Sequence, residues 1–355
     1  MENLEFPPSL LNHLPWDQTA NPIWPATVFT LRRNLAKYNF PHKLEKHQLD
    51  QTLTLLKEAL LKEELLSQAH LFPAEQLSPL DKEFLFEHFL CQKGFQNTFQ
   101  GQAFLVDSSH TLLSYFNIEN HLQLHLLDCR GEWEKSWNRL ATIETNASKV
   151  LDFAFSSRFG YLTADPACCG TALTIHLFLH IPAIIHTGQL EESINQCLEE
   201  EIDAAGMQGT GNELIGDLLV LSNRYTLGVS EENIFNSLQN VSTKMQIAEK
   251  SLRTHLKEQN NSEIKDYISK AFGLIMHAYQ LPTTEALDNL SLLKLGTDLG
   301  WVKGITDIQL NALFFKCQKA HLALSIGQKR NDPQDFLRDR ALFLQQQLKT
   351  VELAI

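Results

Sequence analysis

The chain has 355 residues, of which 43% are hydrophobic and 20% charged, and its formal net charge is −12 at pH 7. This composition is typical of a globular protein with room for two domains, and it argues against a disordered chain. Lysines and arginines cluster no further than pairs such as Arg32-Arg33. We therefore expect no nucleic-acid partner, because such proteins carry a basic stripe or patch.

Apolar runs stay shorter than the about 20 residues that a membrane span requires, so we expect no membrane association. Six cysteines without a C-x-x-C pair fit a reducing compartment, and we expect a cytoplasmic protein. The first 45 residues carry six prolines and are predicted to be irregular, with an N-terminal extension over residues 1–22. Leucines at three- and four-residue spacing predict a helix within residues 46–68, and a shorter helix follows at 81–90.

From Gly101 onward the hydrophobic period changes to two. Apolar and polar residues alternate in residues 102–107, 111–118 and 121–128, which predicts an antiparallel meander. A helix is predicted over 133–150, and a dense turn over 159–171 leads into an apolar run that we interpret as a helix. A strand is predicted within 213–223 and a long amphipathic helix over 230–261.

The linker between the two domains is predicted near residues 260–262, and only helices are predicted beyond it. The sequence thus predicts an α+β domain over residues 23–258 and an all-helical domain over 263–355.

Several stretches resemble, in the same order along the chain, the motifs of the ATP:guanido phosphotransferases, and specifically of the bacterial protein arginine kinases. Residues 159–171, FGYLTADPACCGT, resemble the family segment F-G-Y-L-T-x-C-P-x-N-x-G-T. Shorter matches are RNL at 33–35, N-x-E-x-H-L at 117–122, LSNRYTLG at 221–228 and LLKLGTDLGWVKGI at 292–305. The resemblance implies an antiparallel sheet flanked by helices, a helical C-terminal domain and a homodimer.

The chemistry of this family requires fixed positive charge. Phosphoryl transfer from ATP depends on positioning and on neutralising the spread charge with cations and Mg²⁺. Arginine suits this task because it is always charged and can grip two phosphate oxygens. The acceptor guanidinium is itself protonated, so a carboxylate must orient it and take a proton. The resemblance accordingly implies a fan of arginines around ATP and Mg²⁺, and it places the carboxylate at Glu119.

The chain departs from the family pattern at the positions where arginines are expected. Glu119 is retained, whereas Asp165 stands in place of the cysteine in the dense turn. The last expected arginine opens a segment that aligns with residues 205–213. The five positions that carry no arginine are Val28, Thr30, Gln123, Thr174 and Ala205.

A C-terminal motif of the family, R-D-x-x-R-A, holds phosphoarginine and supports assembly. Its counterpart is residues 336–341, in which Arg340 and Ala341 match but Phe336 and Leu337 replace the leading Arg-Asp pair. We therefore expect a phosphoarginine pocket of the family kind to be lost.

Two hypotheses follow for the function. The first is a pseudokinase, kept for protein–protein interaction, which pairs with a zinc-finger adaptor of the arginine-kinase type or recognises arginine-bearing segments through Glu119 and Asp165. The second is an active ATP- and Mg²⁺-dependent kinase in which Arg32, Arg158 or Arg224 substitutes for the missing cations. Three or more cations converging beside residues 117–121, from whatever positions, would overturn the first hypothesis and indicate a functioning catalyst. A new enzymatic activity has no motif to support it.

We interpret the other reactive side chains, which are cysteines and histidines, as structural. Adjacent Cys168 and Cys169 are expected to be small residues of a tight turn rather than a nucleophile or a redox pair. His176 and His180 lie four residues apart on the predicted helix, close to metal-ligand spacing, but lack the glutamate of H-E-x-x-H. His121 and His125 alternate with Gln123 on one strand face without an evident third zinc ligand. We expect no metal site.

Overall fold

The computed structural model describes residues 6–15, 21–207, 213–326 and 333–355. Within these residues the strands form one antiparallel sheet of eight strands and two short two-stranded ribbons. In chain order the strands are β1 Ala26–Arg33, β2 His70–Pro73, β3 Ala103–Val106, β4 Leu112–Phe116, β5 Leu122–Asp128, β6 Phe155–Ser156, β7 Gly160–Tyr161, β8 Leu173–His180, β9 Ile202–Gly206, β10 Leu218–Asn223, β11 Val302–Lys303 and β12 Glu352–Leu353. The large sheet has the order β2-β3-β4-β5-β1-β8-β10-β9.

The helices pack on both faces of this sheet and continue as a C-terminal bundle. They are α1 Pro8–Asn12, α2 Lys46–Leu61, α3 Pro79–His88, α4 Trp133–Ser148, α5 Pro182–His186, α6 Leu190–Cys197, α7 Glu231–Glu258, α8 Ser262–His277, α9 Thr283–Leu299, α10 Asp307–Lys316, α11 Lys319–Ile326 and α12 Pro333–Gln347. Local sequence explains the start of α8, where the Asn261 side chain accepts the N–H groups of Glu263 and Ile264. No helix in the described ranges is long and apolar enough to cross a membrane.

Alternate residues of the central strands pack into two different hydrophobic cores, because successive side chains of a strand point to opposite faces of the sheet. Phe29 and Leu31 of β1 lie in a core that also contains Ile143 of α4 and Leu238 of α7. Val28, on the other face, packs in a core shared with the C-terminal helices. The candidate site lies on this second face, where the apolar core gives way to polar side chains.

The α+β fold with its helical C-terminal part is confirmed, and so is the meander of β3, β4 and β5, which pair antiparallel in sequence order. The prediction of irregular structure over the first 45 residues is wrong, since β1 lies in the middle of the sheet between β5 and β8. Seven of its eight residues are buried, so the strand lacks the polar alternation that would have indicated it.

The segment after the dense turn is also a strand, not the helix that the apolar run indicated. β8 places Leu173, Ile175 and Leu177 on one face and pairs with both β1 and β10. A short apolar run does not distinguish a buried strand from a buried helix by periodicity alone. The prediction of only helices beyond the linker misses the pair β11–β12, which joins residues 302–303 to 352–353.

Candidate functional site

A cavity of about 340 Å³ opens on the polar part of the sheet's second face. Its floor is formed by β1, β4, β5 and β8, and its rim by four segments that cover residues 91–95, 118–119, 165–168 and 223–226. The lining residues that matter for charge are Arg32, Lys93, Glu119, Asp165 and Arg224. The strand order, together with the packing of α3 and of the loops at the edge of the sheet, brings these distant parts of the chain together.

The strand register explains why most of the expected arginine positions meet here. Thr30 of β1 lies opposite His125 on β5 and opposite Thr174 on β8, and Arg32 lies opposite Gln123. Thr30, Gln123 and Thr174 all line the cavity. These three positions are therefore neighbours, and none of them supplies a charge.

The remaining two arginine positions lie beside the cavity rather than in it. Val28 is fully buried in the core shared with the C-terminal helices. Ala205 is on β9, opposite Val220 of β10, and is not among the residues that line the cavity. Residues 208–212 of the segment that begins at Ala205 lie outside the described residues.

Three cations line the cavity, but two of them are already neutralised by carboxylates. Lys93 Nζ lies 2.8 Å from Oε1 of Glu119, and Arg224 Nη2 lies 2.7 Å from Oδ1 of Asp203. Arg32 donates from Nη1 to Oγ1 of Thr174 at 2.8 Å. In the part of the chain that the structure describes, Arg32 is the one cavity cation without a carboxylate within 4 Å.

Of the three substitute cations suggested by the sequence, the structure brings Arg32 and Arg224 to the cavity. Arg158 instead lies in the turn between β6 and β7, with its guanidinium 5.0 Å from the centre of the Phe159 ring. Sequence reasoning missed Lys93, which follows α3 and is 26 residues from its partner Glu119. No local pattern marks this lysine, because only the packing of α3 beside β4 places it there.

Glu119 is not an unpaired carboxylate that is free to act as a base. Its side chain is 46% exposed and accepts a hydrogen bond from Lys93. An exposed ion pair of this kind contributes little to stability, but it offsets the negative charge that a substrate guanidinium would need.

The histidines of the cavity floor add no positive charge at neutral pH. His125 donates from Nε2 to the Phe89 carbonyl at 2.8 Å, so its Nδ1 accepts from Oγ1 of Thr30 at 3.2 Å. Burial lowers the pKa of His125 to about 4. Burial, with the nearby charge of Arg32, lowers the pKa of His176 to about 3, and Nδ1 of His176 has no hydrogen-bond partner within the described ranges.

The dense turn before β8 is bound to the loop after β10. Thr226 donates from Oγ1 to the Cys169 carbonyl at 2.6 Å, and its own carbonyl accepts the Thr171 N–H at 2.9 Å. Gly170 has φ +107°, and a Cβ there would lie 2.0 Å from the Thr226 carbonyl oxygen. The Asp165 carboxylate accepts the Ala167 N–H at 3.0 Å. The turn therefore fixes the rim of the cavity.

The cysteines and histidines of the site are not arranged for metal or thiol chemistry. Burial raises the pKa of the Cys168 thiol, which disfavours the nucleophilic thiolate. Among the described residues no group of three or more His, Cys, Asp or Glu side chains could hold a metal ion. His180 instead lies beside Ser291, with Nε2 2.7 Å from the hydroxyl oxygen.

Arg340, the retained arginine of the C-terminal motif, has a structural role. It is 1% exposed and donates from Nε to the Cys317 carbonyl at 2.6 Å and from Nη1 to the Leu281 carbonyl at 2.8 Å. Its donors therefore tie α12 to the chain segments before α9 and after α10.

ATP and Mg²⁺ fit this cavity poorly. A bound triphosphate requires several cations free to face it, and among the residues that the structure describes Arg32 alone meets that description. The carboxylates of Glu119 and Asp165 would add repulsion toward the phosphates.

Two comparisons, one with descriptions of protein families and one with individual relatives, give the same family. Residues 48–252 match the family described as ATP:guanido phosphotransferase, C-terminal catalytic domain, and residues 261–354 match that described as protein-arginine kinase McsB C-terminal domain. The chain is 35% identical to a protein-arginine kinase of Chlamydia pneumoniae over 90% of this chain and 88% of the relative. It is also 35% identical to one of Syntrophomonas wolfei over 91% of this chain and 90% of the relative.

Solved structures of guanidino kinases share the fold. The duplicated taurocyamine kinase from Schistosoma mansoni matches with a TM-score of 0.57 at 20% identity, covering 79% of this chain and 42% of that one. Lombricine kinase matches with a TM-score of 0.57 at 18% identity, covering 72% and 74%. The chain therefore belongs to the protein-arginine kinase family of the ATP:guanido phosphotransferases.

Proposed function

We propose that this family member has lost phosphotransfer and acts in the cytoplasm as a protein-binding or regulatory module. The observation that carries the proposal is the chemistry of the cavity face, where Thr30, Gln123 and Thr174 occupy adjacent positions at which the family motifs have arginine. One arginine that acts on a transferring phosphoryl group can be worth roughly 10³–10⁵ in rate. The loss of several should therefore abolish the reaction.

The balance of charge supports the same conclusion. The cations Lys93 and Arg224 are matched by Glu119 and Asp203, and Asp165 also lines the wall near Arg32. The cavity is thus close to neutral, whereas a site for a nucleotide triphosphate needs a surplus of positive charge.

A protein ligand suits the surroundings of the cavity better than a nucleotide does. Four apolar side chains in these surroundings are each more than 40% exposed. Two of them, Phe155 and Phe159, lie on the β6–β7 ribbon, and the other two, Tyr225 and Leu227, lie on the loop after β10. Tyr225 and Leu227 flank Thr226 of the cavity rim, and in this proposal the exposed apolar side chains form part of the contact surface for a protein ligand. The proposed ligand is an arginine-bearing segment held through Glu119 and Asp165, or a zinc-finger adaptor of the arginine-kinase type. A homodimer is part of the same proposal.

The experiment is a titration of the purified chain with Mg·ATP, followed by thermal melting and by a phosphoarginine assay on an arginine-rich acceptor protein. The matched positive control is the Chlamydia pneumoniae relative. We expect no rise in melting temperature at millimolar ATP and no phosphoarginine, whereas the acceptor protein should still bind. A clear Mg·ATP-dependent rise together with phosphoarginine would overturn the proposal.

One observation favours the alternative of an active kinase with a rebuilt nucleotide site. Arg32, Lys93 and Arg224 converge on the cavity that also holds Glu119, so the three cations that would indicate an active catalyst are present, although Lys93 and Arg224 are paired with Glu119 and Asp203. If ATP displaced Glu119 and Asp203 from their partners, these cations could face the phosphates. The same titration separates the two functions, and an Arg32→Ala variant would then lose the ATP response.

A further inference from the structure

The cavity of the candidate site retains two charges that no neighbour neutralises. Its lysine and its second arginine form the ion pairs described above, whereas Arg32 and Asp165, which also line the cavity, do not. Among the described residues neither of these two side chains has an oppositely charged group within 4 Å, so they do not pair with each other either. The cavity therefore presents one unpaired guanidinium and one unpaired carboxylate.

Arg32 has hydrogen-bond donors that are open to the cavity. Its backbone N–H donates to the Ala172 carbonyl at 3.1 Å, and its Nη1 donates to Oγ1 of Thr174 at 2.8 Å. Nε and Nη2 make no hydrogen bond within the described part of the chain, and neither atom is fully buried. A guanidinium has five N–H donors in a rigid fork that matches a carboxylate. Arg32 is thus oriented by its neighbour and still able to bind an anion.

Asp165 offers the complementary acceptor on the cavity rim. It is exposed, and its Oδ1 accepts the Ala167 N–H at 3.0 Å, which fixes the carboxylate at the start of the turn. Among the described residues its Oδ2 has only the weak thiol donor of Cys168, at 4.0 Å. One carboxylate oxygen is therefore free to accept from a cationic group that enters the cavity.

The pKa of Cys168 shows that both charges act on the same part of the cavity. Burial raises the pKa of this thiol, the charge of Arg32 lowers it, and the charge of Asp165 raises it. The charges of Lys93 and Glu119 have smaller effects of the same two kinds. The unpaired cation and the unpaired anion are therefore both close to this thiol, although they do not contact each other.

We propose that the arginine-bearing segment recognised by this cavity carries an acidic residue next to its arginine. The arginine donates to Asp165 and Glu119, and the acidic side chain accepts from Nε and Nη2 of Arg32. This inference rests on the proposed function, because it concerns the same cavity and names the sequence class of its protein ligand.

Charge complementarity favours this dipolar pair over either charge alone. An arginine without an acidic neighbour would leave Arg32 facing a like charge, and a lone anion would meet the carboxylates of Glu119 and Asp165. An arginine with an adjacent carboxylate satisfies both unpaired groups at once. The cavity volume of about 340 Å³ lies within the range of pockets that enclose ligands larger than a single charged group.

The test uses short fluorescent peptides that are acetylated and amidated, so that only their side chains carry charge. One peptide has its arginine between alanines, two have an aspartate directly before or after the arginine, and two have an asparagine at the same places. Fluorescence anisotropy with the full chain measures their affinities. We expect at least one aspartate peptide to bind roughly tenfold tighter than the alanine and asparagine peptides, because its carboxylate gains charge-assisted hydrogen bonds to Arg32.

The variant Arg32→Gln tests which cation accepts the acidic residue. It should bind the aspartate and asparagine peptides equally, since the charge that distinguishes them is gone. Arg130→Gln removes the same charge from an exposed arginine that does not line this cavity, and it should keep the full preference. A preference that survives in Arg32→Gln, or that disappears in Arg130→Gln, would contradict the proposal. If Arg32→Gln fails to fold, the comparison of peptides on the parent chain decides the matter.

The outcomes separate this inference from the proposed function. Equal binding of all the arginine peptides would overturn the acidic preference and leave arginine recognition standing, whereas no binding by any of them would overturn both. A peptide that ends in arginine with a free carboxylate tests the other source of negative charge. If it bound tighter than both aspartate peptides, the partner of Arg32 would be a chain terminus and the proposal would be wrong.

Discussion

Arg32 donates a hydrogen bond from Nη1 to Oγ1 of Thr174, a residue at one of the positions where the family motif expects an arginine. Within the described ranges, the one cation of the cavity without a carboxylate partner is thus held by a neutral side chain on the neighbouring strand. In an active site of this family, that neighbour would be a second guanidinium facing the phosphates. The contact shows how little positive charge remains beside β8.

Restoring the charge should therefore restore nucleotide binding. The variant Gln123→Arg/Thr174→Arg places two guanidinium groups next to Arg32, at partly exposed positions that can accept them. We expect Mg·ATP to raise the melting temperature of this variant by about 2 °C or more, and that of the parent not at all. The measurement is thermal melting with and without Mg·ATP.

The matched control changes the same residue types and the same net charge away from the cavity. Gln51→Arg/Thr54→Arg alters two exposed positions of α2. It should show no response to Mg·ATP. An equal response in both double variants, or none in the cavity variant, would show that missing arginines are not what limits ATP binding.

Removing Lys93 from its ion pair with Glu119 should change the binding of an arginine-bearing peptide while hardly changing the stability of the protein. Lys93→Ala should change the free energy of unfolding by less than about 1 kcal/mol, because both partners are exposed. It should strengthen the binding of an arginine-bearing peptide a few-fold, since a competing cation beside Glu119 is removed. Peptide titration by fluorescence anisotropy checks the second effect and urea unfolding the first.

Lys135→Ala provides the control for this experiment. The Lys135–Glu132 pair has side-chain exposures of 76% and 45%, against 76% and 46% for Lys93 and Glu119. Its removal should have the same small effect on stability and none on the peptide. If Lys93→Ala left peptide binding unchanged or weakened it, the role of Glu119 as the guanidinium-binding group would be refuted.

The sequence predicted the parts of this site that are local along a strand. The N-x-E-x-H-L stretch located Glu119, and the family motifs located Thr30 and Thr174 because each motif lies within one strand or turn. Lys93 could not be predicted, since its position depends on how α3 packs beside the sheet. β1 was missed for a related reason, because a strand covered on both faces shows no alternation of polar and apolar residues.

His176 predicts a loss of stability in acid. Burial, then the charges of Arg32 and His125, lowers its pKa from 6.5 to about 3. Below pH 6.5 the unfolded chain gains a proton that the folded chain refuses, so the stabilisation present above pH 6.5 is lost as the pH falls toward 3. Between pH 7 and pH 5 this group should contribute a loss of about 2 kcal/mol.

The variant His176→Leu should remove that contribution. Urea unfolding at pH 7 and pH 5 measures it as the difference between the parent's loss of stability and the variant's. His42→Leu, which changes an exposed histidine, should behave as the parent does. An unchanged pH dependence in His176→Leu would mean that the ring is protonated in the folded protein.

The close approach of Gly170 to Thr226 predicts which glycine the cavity rim depends on. Gly170 and Gly188 both have positive φ, at +107° and +71°, so an alanine at either position is strained by roughly 1–2 kcal/mol. Only at Gly170 would the new Cβ also meet backbone, 2.0 Å from the Thr226 carbonyl oxygen, whereas at Gly188 nothing lies within 4 Å. Gly170→Ala should therefore destabilise the protein by about 2 kcal/mol more than Gly188→Ala in urea unfolding.

Gly170→Ala should also speed amide hydrogen exchange at Thr171, whose N–H is bonded to the Thr226 carbonyl. Equal destabilisation by the two variants, with unchanged exchange at Thr171, would show that the turn before β8 does not depend on this contact.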